Sequence, residues 1–269
     1  MPGASALPMR ARPSPVFKVV IPARLSSTRL PRKVLLPVHG KPLLQYVWQC
    51  ARASGAEEIV IATDDAQVLS ACQGFGADAV MTSATHQSGT DRINEVAQLR
   101  HWPDDTRVVN LQGDEPLMPA GLIRQAAELL AQDEAADIAT LCHPLHSLEE
   151  WLNPNFVKVV MDARGRALYF SRAPIPWKRD GAAPGKPVLP QGLAYRHIGL
   201  YAYRVSALKR FSALPASDLE TVEALEQLRA LVNGFTIRVG ITQETPPRGV
   251  DTQEDLVAVS LALGRGDGG

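Results

Sequence analysis

The sequence predicts an α/β protein with a mixed, mostly parallel sheet, flanked by helices and extended by a small antiparallel subdomain. Segments of strand type and helix type alternate through the first half, as in parallel sheets whose strands are joined by helices. After Asp137 the strand candidates follow one another closely, which is typical of antiparallel pairing. We therefore expect one domain over residues 16–269, with a subdomain around residues 137–203.

The elements of the first half are marked by apolar runs and by the residues at their ends. Residues 16–21 are largely apolar and β-branched, which indicates a strand buried on both faces. Pro42 suits the first turn of a helix that ends before Gly55, and Thr90 and Asp91 favour the start of another. We predict further strands at residues 58–63, 79–82 and 107–111, and helices at residues 42–54, 66–74, 90–100 and 119–131.

The second half is predicted to contain five strands and two helices. The strands are expected at residues 137–142, 156–161, 167–171, 195–203 and 235–241. Asp218 can cap a helix that reaches residue 231, because the apolar residues after it follow a helical stripe. Thr252 is expected to start a terminal helix. Residues 174–191 are rich in Pro, Gly and Lys and predict a mobile loop.

Composition excludes several classes of function. Lys+Arg and Asp+Glu both number 28, so no overall positive field would attract nucleic acid or an anionic membrane. The three cysteines are far apart, which fits free thiols in a reducing cytoplasm. No apolar run is long enough to span a membrane. Residues 1–15 contain four prolines and lack the apolar stretch of a signal peptide, so we expect a disordered extension.

The most informative segment is a basic loop after the first strand. It contains Arg24, Arg29, Arg32 and Lys33, with three small hydroxyl residues between the first two arginines. Arginine binds phosphate oxygens in pairs and lysine acts as a compact charge, so a polyphosphate would explain four neighbouring cations. A solvated basic loop is the alternative, and the loop alone does not decide between them.

Two acidic segments suggest what could lie opposite this loop. The predicted strand at residues 107–111 is followed by Gly113 and Asp114, at the edge where α/β proteins bind ligands. Asp251 precedes the terminal helix. Asp114 could instead belong to a simple turn, and Asp251 or Thr252 could cap the helix. Together, two carboxylates facing a cationic loop would form a magnesium site beside a phosphate site.

These parts are those that nucleotidyl transfer requires. A metal ion bridges phosphate oxygens, while Arg and Lys stabilise the leaving pyrophosphate. The basic loop has neither the GxxxxGK[ST] spacing of a P-loop nor the GxGxxG of a dinucleotide-binding fold. ATP hydrolysis and hydride transfer are therefore poorly supported.

The order of motifs resembles the 3-deoxy-manno-octulosonate (Kdo) cytidylyltransferase family, the CMP-Kdo synthetases of Gram-negative lipopolysaccharide synthesis. The segments that carry the resemblance are IPARLSSTRLPRK, HQSGTDR, NLQGDEP, NPNFVKVV, ALYFSRAPIPW, RHIGLYAYR, LEQLR and GVDTQEDL. It implies a Rossmann-like sheet of the nucleotide-diphospho-sugar transferase type. It also implies a reaction in which CTP and Kdo give CMP-Kdo and pyrophosphate with Mg²⁺, in a cytoplasmic homodimer.

The resemblance also assigns roles to individual residues. It places Arg24, Arg29, Lys33 and Ser88 on CTP, and gives Arg24, Lys33, Asp114 and Asp251 catalytic roles. Asp114 and Asp251 would bind the metal. The sugar pocket would contain Arg92, Gln112, Arg172, His197, Tyr201, Glu226 and Gln227.

Each assignment has a structural alternative. Arg92 and Gln227 could be exposed helix residues, and His197 and Tyr201 could be half-buried on a sheet. The chain departs from the family pattern at Arg32, where glycine is common, and at Val34, where proline is common. Arg32 would be strained if this position needs a positive φ. Transfer to another acidic sugar, or binding without catalysis, are the other functions considered.

Overall fold

The structure, a computed structural model, describes residues 15–25, 29–86, 88–179 and 186–266. The extension predicted for residues 1–15 lies outside these ranges except for its last residue. The three hydroxyl residues of the basic loop and Gln87 also lie outside the described residues, as does part of the loop predicted at residues 174–191.

The described residues form one nine-stranded sheet and one two-stranded sheet. The strands are β1 (Lys18–Ala23), β2 (Pro37–Val38), β3 (Lys41–Pro42), β4 (Glu58–Thr63), β5 (Ala79–Met81), β6 (Arg107–Asn110), β7 (Ile138–Pro144), β8 (Lys158–Met161), β9 (Ala167–Ser171), β10 (Tyr195–Arg204) and β11 (Ile237–Ile241). The small sheet pairs β2 with β3, and the large sheet has the order β11-β7-β10-β6-β1-β4-β5. The predicted fold class is confirmed.

The direction of the strands divides the large sheet into two parts. Strands β6, β1, β4 and β5 are parallel, so their carboxyl ends meet at one edge. Strand β10 runs antiparallel to both β6 and β7, and β8 and β9 form an antiparallel pair beside it. The later strands thus extend the same sheet, and a separate functional role for residues 137–203 stays a prediction.

Helices cover both faces of the large sheet. They are α1 (Leu43–Ala53), α2 (Ala66–Gly74), α3 (Gly89–Leu99), α4 (Ala120–Gln132), α5 (Leu148–Leu152), α6 (Val205–Ser212), α7 (Asp218–Glu223), α8 (Gln227–Val232) and α9 (Gln253–Gly266). Alternate residues of β1 point to opposite faces, so Val19 and Ile21 pack with α1, α2 and α4, while Val20 packs with α3, α6 and α8. In the part of the chain that is described, no helix could span a membrane.

The helix predicted from Asp218 to residue 231 was wrong in two respects. It is broken into α7 and α8, because Ala224 adopts a left-handed conformation with φ 50°. Its N-cap is Ser217, whose hydroxyl accepts a hydrogen bond from Glu220 N while the Glu220 carboxylate accepts one from Ser217 N. The break places Glu226 at the start of α8.

Candidate active site

Lys33 joins the basic loop to the two acidic segments. Its ammonium donates to Asp114 Oδ2 at 2.5 Å and to Asp251 Oδ1 at 3.0 Å. A third hydrogen bond, of 3.0 Å, goes to the carbonyl of Val250. Burial disfavours the charged ammonium, but the two carboxylates outweigh it and raise the pKa of Lys33. A cation therefore already lies between the two acids predicted to bind a metal.

The main chain holds the two acidic segments together. Val250 N donates to the carbonyl of Asp114 at 2.8 Å. This hydrogen bond holds the residue before Asp251 against the loop that carries Asp114. Gly249 permits this approach, because a Cβ there would lie 3.2 Å from Asp114 O. The alternative that the Asp251 side chain caps α9 is wrong. Thr252 and Asp255 form the hydrogen bonds at the start of this helix. The Asp251 carboxylate instead pairs with Lys33 and Arg29.

Gly113 has a structural reason that the sequence did not reveal. A Cβ at this position would lie 2.8 Å from the carbonyl oxygen of Pro22, closer than a side chain allows. The glycine therefore lets the loop after β6 pass beside the end of β1. Close contact between two segments of backbone thus accounts for a glycine at position 113.

The two aspartates form a small, open donor set for a metal. Among the described residues, no group of three or more His, Cys, Asp or Glu side chains could bind a metal ion by itself. Two carboxylates suit Mg²⁺, which completes its shell with phosphate oxygens and water. The neighbouring Glu115 adds no third charge, because burial and then the charge of Asp114 raise its pKa to about 8.

The three arginines of the basic loop have different surroundings. Arg29 is exposed and its guanidinium lies 3.1 Å from Asp251 Oδ2. Arg24 is half-buried, and its Nη2 is buried without a hydrogen-bond partner in the described part of the chain. Arg32 points away from the acids and donates to Gln67 Oε1 at 2.6 Å. Arg29 thus contacts one of the two acidic segments, whereas the Arg32 side chain is bonded to Gln67.

The backbone of Arg32 resolves the question raised by its departure from the family pattern. Arg32 has φ 60° and ψ 22°, in the left-handed region that favours glycine. A non-glycine residue there costs roughly 1–2 kcal/mol. The substitution therefore strains the backbone, while the side chain reaches the surface and bonds to Gln67.

We expect Arg32→Gly to raise the free energy of unfolding by up to about 1 kcal/mol, because relief of strain exceeds the entropy that glycine loses on folding. Urea denaturation measures this. Arg32→Ala is the matched control, since it also removes the bond to Gln67 but keeps the strain. If the glycine variant were less stable than the alanine variant, strain at this position would be refuted.

A second group of predicted residues meets at the start of α3. Ser88 caps this helix, accepting from Asp91 N at 3.1 Å and donating to Asp91 Oδ2 at 2.9 Å. Thr90 donates from its hydroxyl to Glu226 Oε2 at 3.1 Å, and burial raises the pKa of Glu226. Gln112 lies beside Gly89, with its Oε1 4.0 Å from where a glycine Cβ would be. The structure thus brings Ser88, Gln112 and Glu226 into one neighbourhood.

Arg92 and Gln227 are buried, so the alternative of exposed helix residues is wrong for both. The Arg92 guanidinium pairs with Asp64 at 2.9 Å and donates to the hydroxyl of Thr82. Two of its nitrogens are therefore engaged by the protein, while its Nε has no partner among the described residues.

A cavity of about 760 Å³ opens beside the acidic segments. Of the predicted site residues, its lining contains Arg29, Asp114, Arg172, His197 and Asp251. The Arg172 guanidinium donates to the carbonyls of Pro154, Glu223 and Ala224. The remaining predicted residues lie outside this lining.

His197 connects the cavity to Tyr201. Its Nε2 shares a 2.9 Å hydrogen bond with the hydroxyl of Thr140, and its ring centroid lies 5.3 Å from that of Tyr201. Burial, followed by the charge of Arg196, lowers the pKa of His197 to about 3. His197 is therefore neutral near pH 7 and can only exchange hydrogen bonds.

A comparison with known proteins identifies this arrangement. The model of the cytidylyltransferase family matches residues 18–238. The chain belongs to the cytidylyltransferase family. A 3-deoxy-manno-octulosonate cytidylyltransferase of Marinobacter nauticus is 52% identical over 255 residues, covering 93% of this chain and 98% of the relative. The protein of the same name from Cellvibrio japonicus is 53% identical over 249 residues, covering 92% and 98%.

Solved structures agree with this membership. A CMP:2-keto-3-deoxy-manno-octonic acid synthetase in complex with CTP is 40% identical, with a TM-score of 0.83, over 93% of this cytidylyltransferase and 99% of that chain. A cytidylyltransferase from Leptospira borgpetersenii is 15% identical with a TM-score of 0.58, covering 93% and 87%, and shows the shared fold alone.

Several residues of the cytidylyltransferase cavity received no role from the sequence, and four of them carry aromatic rings or positive charge. They are His143, Phe156, Arg196 and Arg248. Arg196 directly precedes His197, and in the sheet it pairs with His143 of β7. Only the register of two strands distant in sequence brings that pair together, so no motif spacing could have indicated it.

Proposed function

We propose that this cytidylyltransferase transfers CMP from CTP to the anomeric hydroxyl of Kdo, giving CMP-Kdo and pyrophosphate for lipopolysaccharide synthesis. The observation that carries the proposal is the position of Lys33 between Asp114 and Asp251. Nucleotidyl transfer needs cations for the phosphates and carboxylates for a metal at one place, and this arrangement supplies both. The curated relatives named as Kdo cytidylyltransferases support the choice of sugar.

The basic loop would bind the triphosphate. Nη2 of Arg24 is buried and has no hydrogen-bond partner among the described residues. A phosphate oxygen that accepted a hydrogen bond from it would offset the free energy lost on desolvation. Arg29 and Lys33 currently neutralise Asp251 and could exchange it for phosphate oxygens. Ser88 would contact the nucleotide from the start of α3.

Asp114 and Asp251 would hold Mg²⁺. When bound, the metal ion would neutralise charge on the phosphates and favour ionisation of the sugar hydroxyl. The donor set fits, since the two carboxylates already share one cation, Lys33. The hydroxyl would attack the α-phosphorus in line as pyrophosphate leaves, and Arg24 and Lys33 would stabilise the charge that develops on it.

The remaining predicted residues would bind the sugar. Neutral His197 would supply hydrogen bonds for hydroxyl groups at the cavity wall, beside Arg172. Tyr201, whose ring lies next to that of His197, would add its hydroxyl. Gln112, Glu226 and Gln227 would complete the pocket from the side of α3 and α8. Arg92 is tied to Asp64, so its role would include fixing the start of α3.

A homodimer in the cytoplasm is part of the proposal. Leu168, Trp177 and Leu193 are large apolar side chains that remain exposed in the segment of residues 137–203. Such side chains on a monomer suggest a surface for a second copy. The three cysteines are free thiols, as expected in a reducing compartment.

A substrate panel tests the function. Four nucleoside triphosphates are combined with Kdo, its 8-amino analogue and sialic acid, and pyrophosphate release is measured with Mg²⁺. We expect release with CTP and Kdo, and its loss when EDTA removes the metal. Release only with another acidic sugar would reassign the acceptor. CTP binding without release for any sugar would favour a binding protein over an enzyme.

A further inference from the structure

Two arginines in the cavity wall form no ion pair among the described residues. Arg196 lies in β10, and Arg248 lies in the loop before α9. Their guanidinium carbons are 4.0 Å and 4.7 Å from the centroid of the Phe156 ring, so both stack on the same aromatic side chain. Neither guanidinium forms a hydrogen bond or ion pair with any residue that the structure describes.

The proximity of these two charges is unfavourable without an anion. Burial and then the charge of Arg248 lower the pKa of Arg196, and the charge of Glu150 opposes this. Asp255 also lines the cavity; burial opposes the change, but hydrogen bonds at the start of α9 and the charge of Arg248 lower its pKa overall. Stacking on Phe156 holds the guanidiniums in place but does not neutralise them. A carboxylate in the cavity within reach of both guanidiniums would gain two charge-assisted hydrogen-bonding partners.

The adjacent His143 indicates that the ligand would also carry a hydrogen-bond donor. His143 is 6% exposed, lines the cavity, and faces Arg196 across the β7–β10 pair. Burial, opposed by a hydrogen bond to the backbone and reinforced by Arg196, lowers its pKa, so the ring is neutral near pH 7. Its Nδ1 donates to the carbonyl of Pro144 at 3.1 Å. That leaves Nε2 as an acceptor, and it has no partner among the described residues.

An acceptor beside two unpaired cations matches a hydroxy acid better than an inorganic anion. The carboxylate of such a ligand would lie on Arg196 and Arg248, and one of its hydroxyl groups would donate to His143 Nε2. Pyrophosphate has negative oxygens but few hydrogens to donate. Arg248 also stands only three residues before Asp251, which places the cations near the end of the cavity where transfer would occur.

We propose that Arg196, Arg248 and His143 form a carboxylate subsite that selects the acidic sugar over uncharged sugars. The inference rests on the proposed function and adds specificity residues to it. It gives the acceptor's acid group its own recognition, apart from the cations of the loop after β1.

The test compares Kdo with its C1 amide, which keeps the hydroxyl groups and lacks the charge. For the unsubstituted enzyme, Arg248→Gln and Arg196→Gln, one measures KM for Kdo, KM for CTP and the inhibition constant of the amide. Each variant should raise the KM for Kdo about tenfold, equal to 1.4 kcal/mol, because one charge-assisted bond is lost. The inhibition constant of the amide and the KM for CTP should change less than about twofold, within the range of a surface substitution.

Arg52→Gln is the matched control, because Arg52 also stacks on an aromatic ring, at 4.8 Å from the centroid of Trp48, but outside the cavity. Arg196→Lys should recover part of the loss, which a purely structural role of the stacked guanidinium would not predict. The subsite would be overturned if a variant weakened the binding of Kdo and of its amide equally. It would also be overturned if only the KM for CTP or only inhibition by pyrophosphate changed. Turnover of Kdo by the unsubstituted enzyme tests the function separately.

Discussion

Asp114→Asn and Asp251→Asn are each expected to lower the rate of CMP transfer at least about 100-fold. Each removes one of the two carboxylates proposed to bind the metal, and metal stabilisation of transfer is worth several kcal/mol. Mn²⁺ binding, followed by electron paramagnetic resonance, should weaken in parallel. The change replaces one oxygen by nitrogen, so the thermal midpoint should move little.

Asp104→Asn is the control for this prediction. Asp104 also pairs with a lysine, Lys209, at 2.6 Å, but on the surface. An exposed ion pair contributes only about 0–1 kcal/mol to stability. Since this one also lies away from the two acidic segments, Asp104→Asn should leave both the rate and Mn²⁺ binding unchanged. A near-normal rate in either active-site variant would refute the proposed metal site.

Lys33→Met is expected to separate metal binding from catalysis. Without nucleotide, removal of the ammonium leaves Asp114 without its cation and Asp251 with Arg29 alone. Mn²⁺ should therefore bind about tenfold more tightly, equal to 1.4 kcal/mol. CMP transfer should nevertheless fall at least about 100-fold, because the same cation would stabilise charge on the phosphates.

Lys209→Met serves as the control here, since it removes a surface lysine from a single aspartate. Weaker Mn²⁺ binding in Lys33→Met would show that Lys33 does not compete for the two carboxylates. A normal transfer rate would remove Lys33 from the catalytic residues.

Most of the fold could be predicted because local patterns determine it. Predicted and observed bounds coincide for β4, α2 and β9, where apolar runs end at clear turn residues. The helix from Asp218 failed because Ala224 carries no local sign of its left-handed conformation. Helix α6 was missed because it follows β10 without an intervening Gly or Pro.

The candidate site was predictable only in part. Four residues come together as expected: Arg29, Lys33, Asp114 and Asp251. The first three follow the carboxyl ends of adjacent strands, and Asp251 precedes a helix that begins at the same edge of the sheet. Two pairings were not predicted: that of Arg92 with Asp64, and that of Arg196 with His143. Both depend on how distant segments align in the folded protein, which the periodicity of the sequence does not reveal. Arg32 could be recognised as unusual, but only its φ shows the strain.

The proposed reaction requires the anomeric hydroxyl of Kdo to attack the α-phosphorus of CTP in the site of Asp114 and Asp251. The most direct measurement uses Kdo labelled with ¹⁸O at its anomeric hydroxyl and follows the products by ³¹P NMR. Attack by that hydroxyl predicts an isotope shift in the phosphorus signal of CMP-Kdo, together with unlabelled pyrophosphate. Formation of CMP-Kdo without the shift, or hydrolysis of CTP with no CMP-Kdo, would contradict it.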